Sequence, residues 1–140
     1  MIDAAVQQGR VLAVSLMRDV GSVSRPTGRV AQDEATGFEV EVLDPLFTTP
    51  LKVSGRSTAG DVTPRTVRVG GVERVVLEGR LHLPVPAADS VAAGLREGDV
   101  VEVVTVGPMT DPDVLGARYR VVDFGGGSYA TARRVNVVEL

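Results

Sequence analysis

Few residues in this chain are of a kind that does chemistry. Its 140 residues include one histidine, His82, and no cysteine. Without thiolates or a second imidazole no ordinary zinc cluster can form, and disulfides and a cysteine nucleophile are excluded together. His82 lies on the polar side of an alternating stretch, where a solvated or interface residue belongs. Ser22, Ser24 and Ser57 have no flanking nucleophile motif. Gly125-Gly126-Gly127-Ser128 has the look of a phosphate loop. It lacks the Gly-x-x-x-x-Gly-Lys-Ser/Thr order and no helical pattern follows, so it reads as a permissive turn. Asp111 and Asp113 flank Pro112, but the spacing of an EF-hand loop is absent. Nothing singles out a carboxylate pair for glycoside hydrolysis. The expectation is a protein with no catalytic residue, no metal and no cofactor, and not an enzyme.

Charge placement is more informative. The net charge of -3 argues against a general nucleic-acid binder, which usually carries a basic footprint. Residues 31–47 hold Asp33, Glu34, Glu39, Glu41 and Asp44 with no Lys or Arg. Residues 52–74 hold Lys52, Arg56, Arg65, Arg68 and Arg74 against Asp61 and Glu73. An acidic and a basic segment in one chain suit head-to-tail docking between copies. A mixed, solvated surface explains them equally well. A third reading has the basic segment touching a nucleic-acid backbone.

The elements that position these groups are mostly strands. The chain has 28 Val, 16 Gly, 8 Pro and only five aromatic residues. β-Branched side chains pack well on a pleated surface, and frequent Gly and Pro imply many turns. The only long helical pattern covers residues 2–18, with Ile2, Val6, Ala13, Leu16 and Met17 on one side. Gly9 shares that side; Val11 and Val14 fall on the other, where they could form a second packing surface between subunits. A short strand is expected at Val20–Arg25, a loop over Pro26–Gly37 with a hairpin tip at 33–37, and strands at Phe38–Leu43 and Pro50–Val53 separated at Pro45. Residues 54–66 have no core pattern and read as a long loop. Gly70-Gly71 joins a hairpin whose return arm, Val72 to about Val85, alternates Val75, Leu77, Leu81, Leu83 and Val85 with Arg74, Glu78, Arg80 and His82. Ala87–Leu95 suggests one helical turn. Strands follow at Val100–Val106 (covered on both faces), Arg118–Phe124 and Ala130–Val138.

With no βαβ rhythm, the expected fold is mainly β: a small antiparallel β-barrel or sandwich over 20–140, an N-terminal helix over 1–19, and a long inter-strand loop at 54–66. No apolar run is long enough for a membrane helix, and the start of the chain lacks the n-region and h-region of a signal peptide.

Short patterns along nearly the whole chain add a resemblance. They are Leu16-Met17-Arg18-Asp19, Ser24-Arg25-Pro26-Thr27-Gly28, Asp33-x-x-Thr36-Gly37, Leu81-His82-Leu83-Pro84-Val85 and Gly98-Asp99-Val100-Val101. Asp113-x-Leu115-Gly116-x-Arg118-Tyr119-Arg120-Val121-Val122 and Tyr129-Ala130-Thr131-Ala132-Arg133-Arg134 complete them. In this order and spacing the chain resembles head-to-tail connector proteins of tailed phages infecting actinobacteria, the stopper or head-closure type.

That resemblance implies a ring, commonly of twelve copies, between the portal or head-to-tail adaptor and the tail. The ring would close the DNA channel after packaging and offer a docking surface to a tail terminator or tail completion protein. It places the chain in the virion at the head–tail junction, and in the host cytoplasm during assembly, with viral double-stranded DNA passing through the lumen and no membrane partner. The loop at 54–66, with Arg56, Asp61 and Arg65, would face the channel or a neighbouring ring. Glu39, Glu41, Arg68, Arg74, Val11 and Val14 would serve contacts between copies. Adaptor and tail-terminator rings share this plan and are the alternative; a monomeric nucleic-acid-binding module and a small hydrolase come after them.

Overall fold

The computed structural model describes residues 2–54, 64–69, 72–86, 90–124 and 132–140. Helix α1 spans Ile2–Ser15. Seven strands follow: β1 Asp19–Gln32, β2 Glu39–Ser54, β3 Pro64–Val69, β4 Val72–Leu83, β5 Val100–Thr105, β6 Arg118–Phe124 and β7 Arg133–Glu139. They form one antiparallel sheet in the order β2-β1-β5-β6-β7-β4-β3. The fold is mainly β with one N-terminal helix, as its valine content predicts.

The expected β-barrel is corrected. Among the described residues no uniform ladder runs around the sheet: it curls until β2 meets β4 over three residue pairs, Lys52↔His82, Val53↔Leu81 and Ser54↔Arg80. Over Glu39–Leu51, β2 pairs with β1 alone among the described residues. We call the three-pair contact the seam.

The first two strands are much longer than the sequence suggests. β1 continues through Pro26 to Gln32, where a loop was expected, and β2 runs without a break from Glu39 through Pro45 and Pro50 to Ser54. Both prolines are tolerated because β2 is an edge strand over this stretch; a proline's missing N–H is harmless where it faces away from the partner. The register shifts twice along the β1–β2 ladder, between Val23 and Ser24 and between Pro26 and Val30. At the second shift, Thr27-Gly28-Arg29 of β1 stands opposite Val42 of β2. Gly28 has φ +80°, the left-handed region that other residues enter at a cost. The Thr27 hydroxyl donates to the Val42 carbonyl at 2.9 Å and accepts from the Arg29 N–H at 3.2 Å. This bulge bends the hairpin. The tip is the expected 33–37 turn, closed by Asp33 N–H to Phe38 O at 2.8 Å and Gly37 N–H to Asp33 O at 2.7 Å.

The core lies inside the curl. Val23, Leu51, Leu81, Leu83, Leu95, Val101, Val103, Tyr119, Val121, Val135 and Val137 form one buried cluster. Alternation puts them on one side of their strands. Valines fill a tightly curved interior with little volume each, and Gly21 is the extreme case: a Cβ there would collide with the Leu51 side chain. β5 is covered on both faces only at its start, where Val100 and Val101 are both buried; Glu102 and Val104 are exposed.

Buried polar groups pin two turns to the sheet. Asp19, at the start of β1, accepts from Gly107 N–H at 2.7 Å and from the Thr110 hydroxyl at 2.6 Å. Asp99, at the turn before β5, accepts from Arg25 Nε at 2.9 Å, Arg25 Nη2 at 3.1 Å and Arg96 N–H at 2.8 Å. The same Arg25 donates to the Gly94 carbonyl at 2.8 Å, tying β1 to the 3-10 turn Val91–Gly94.

Candidate interaction surfaces

Among the described residues no group of three or more His, Asp or Glu is placed to hold a metal, and no helix is long and apolar enough to cross a membrane. Asp111 and Asp113 belong to a short 3-10 turn, where the Asp111 carboxylate accepts from Asp113 N–H at 3.0 Å. They form a cap. Three surfaces stand out instead.

The first is the arm formed by the β1–β2 hairpin beyond the bulge. From Gly28 to Glu41 every residue but Asp33 is exposed, and over Val30–Gln32 and Glu39–Glu41 the two strands pair with each other and with no other strand among the described residues. Val30, Phe38 and Val40 are 60%, 74% and 46% exposed. An arm of this kind holds apolar side chains in water with no core to receive them. Glu34 and Glu39 beside them are exposed as well. Glu41 accepts from Arg120 Nη2 at 2.8 Å and fastens the base of the arm to β6.

The second surface is α1. Val6, Gly9, Ala13 and Met17 lie on its more buried side, so the apolar face read from the sequence is largely the one turned inward. Leu16, expected with them, is exposed. Val11 and Val14, read as a second packing surface, are both exposed, and Leu12 joins them at 64%.

The third surface is a basic row that sequence reasoning missed. Register places Lys52 of β2 opposite His82 of β4, and His82 opposite Arg134 of β7. Their inward neighbours Leu51, Leu81, Leu83 and Val135 are buried, so the row lies on the outer face. Arg80 sits two residues from His82 on the same face; its Nε donates to Asn136, which in turn donates to Asp123. No carboxylate bonds Lys52, His82 or Arg134 among the described residues. His82 is held below the usual histidine range, first by burial and then by the charges of Lys52, Arg134 and Arg80. Sequence separation hides this cluster: the three members lie on strands far apart in the chain, and only the register of two ladders unites them.

The depressed titration of His82 has a measurable consequence. Below about pH 6.5, the ordinary histidine value, the unfolded chain binds a proton that the folded chain resists. Stability is therefore expected to fall as the pH drops through 6.5 toward the lower folded value. His82→Gln should flatten this part of a stability–pH curve measured by denaturant unfolding; an unchanged slope would mean that burial and the row together do not depress His82.

The remaining expected site residues are only partly placed. Arg56 and Asp61 lie outside the described residues, as does most of the 54–66 loop; Pro64–Thr66 belong to β3. Arg65, Arg68 and Arg74 fall on the β3–β4 hairpin, opposite Val76, Glu73 and Val67.

The chain is thus a mainly β domain whose distinctive surfaces are an acidic, apolar-tipped arm, an exposed helix face and a basic row. It belongs to a family of unknown function, DUF6093, whose model matches residues 9–138. No curated protein matches it.

Proposed function

We propose that this chain is a structural neck protein of a tailed-phage particle, not an enzyme. It assembles with its own copies into a ring between the portal or adaptor and the tail, closes the DNA channel and presents a surface for tail attachment. The observation that carries the self-assembling part is the arm. Val30, Phe38 and Val40 are held outward beyond a built bulge, an arrangement that gains stability only when a partner covers it. The exposed apolar face of α1 adds a second surface of the same kind. Placement in the neck comes from the resemblance to stopper proteins; an adaptor or tail-terminator ring is the second position.

A single-strand-binding module fits less well. Such modules interleave aromatic platforms with cations. Here Phe38 stands on the acidic arm, Tyr119 is buried, Phe47 packs against the core, and none of them neighbours the basic row.

Cryo-microscopy of the particle neck tests the proposal. Ring density for this chain between portal and tail is expected. Density in the tail tube, or absence of the chain from the particle, would overturn it.

A further inference from the structure

The Lys52–His82–Arg134 row lacks the charge pairing that sheets favour. Like charges directly across a ladder destabilise the pair, and opposite charges are the favoured arrangement. The row instead places the cations Lys52 and Arg134 on either side of His82, whose own protonation burial and these charges oppose, with Arg80 close by and no carboxylate to answer Lys52 or Arg134 among the described residues. A fold that carries such a row has a use for an anion there.

β2 supplies the complement at its other end. It begins at Glu39, beside Phe38 and the exposed Glu34 of the tip, and ends at Lys52–Ser54 in the seam. One strand therefore bears an acidic, apolar tip at its start and the basic row at its finish. Within one copy no ion pair joins them: the arm is fastened by Glu41 to Arg120, and Glu34 and Glu39 have no partner among the described residues. Two different surfaces that complement each other on one chain give a heterologous contact, which repeats from copy to copy.

We propose that the basic row Lys52–His82–Arg134 is the receptor for the arm tip of a second copy of this chain, with Glu34 and Glu39 answering its cations and Phe38 the apolar anchor. The assignment rests on the self-assembling reading above and deepens it by naming both halves of the contact.

The test is a charge exchange read by sedimentation velocity. Lys52→Glu with Arg134→Glu, and separately Glu34→Lys with Glu39→Lys, should each weaken self-association by about tenfold or more. The four substitutions together should restore it to within a few-fold of the parent. Absence of recovery in the combined variant overturns the proposal. So does a parent that stays monomeric up to about millimolar concentration, the weak limit of specific association. A row variant that assembles normally but loses binding to duplex DNA at low salt also overturns it, and gives the row to a phosphate backbone.

Because the chain has no cysteine, a mixture of Glu39→Cys and Lys52→Cys chains adds an independent reading. A cross-link between the two variants, and little between identical ones, is the expected result. These outcomes are separable from the neck assignment, which fails on particle density while the tip-to-row contact stands or falls in solution.

Discussion

Leu81→Ala is expected to cost about 3–5 kcal/mol of folding stability, since truncation of a buried leucine loses both its transfer free energy and the contacts around the cavity left behind. The position magnifies the effect. Leu81 is fully buried and belongs to two ladders at once, opposite Val53 in the seam and opposite Val135 of β7. Among the described residues the seam has three residue pairs, so a cavity under its middle pair weakens the contact that keeps the sheet curled. Denaturant unfolding should show a lower midpoint. Thermal unfolding should show a fall of about 10 °C or more for a chain of this length. A loss below about 1 kcal/mol would mean that the interior collapses onto the site and that the seam is held elsewhere.

Asp99→Ala is the second large effect. The Asp99 carboxylate is 1% exposed and accepts from Arg96 N–H at 2.8 Å. Hydrogen bonds to charged groups contribute about 1.5–3 kcal/mol, and an orphaned buried donor adds its own desolvation cost. A loss of about 2–3 kcal/mol is expected at neutral pH from Asp99 alone. The Arg25 guanidinium loses its bidentate acceptor at the same time, freeing β1 from the turn before β5. Asp99→Asn keeps the shape and one acceptor, so its loss should fall between the parent and the alanine variant in the same unfolding measurement. Equal losses for the two variants would make the charge, not the turn geometry, responsible.

Much of the sheet is legible in the sequence. Val69 pairs with Val72, as the turn signal in the sequence between them implies. The alternation of Leu81 and Leu83 with Arg80 and His82 gives the inward and outward faces of β4 correctly. The Asp33–Gly37 tip also lies where the turn residues put it. The helical periodicity holds at Val6, Ala13 and Met17 and fails at Leu16.

The misreadings have a common cause. Pro26 and Pro45 read as strand ends, and Pro50 as the start of a new short strand, because sequence does not show how far a strand at an edge will run. The bulge at Thr27-Gly28 looks like a loop because its hydrogen bonds go to Val42, fifteen residues away. Closure into a barrel is natural for short alternating strands, whereas the long β1 and β2 carry the chain away from the sheet as an arm. The basic row is invisible for the same reason: Lys52, His82 and Arg134 are neighbours only through register, and their ion-pair partners could not be counted before the ladders were known. Glu41 shows the converse, since an exposed glutamate in an acidic segment is already committed to Arg120.

The prolines of β2 have one more consequence. A long, open edge strand is a template on which any extended segment can add, and proteins made in many copies are the most exposed to fibrillar stacking. Pro45 and Pro50 interrupt the donor row along that edge, so backbone-to-backbone addition has no continuous ladder to follow. Copies that meet must then recognise one another through side chains, which can discriminate. The same two residues that hide the strand's length from a reader of the sequence thus guard its open edge against indiscriminate addition.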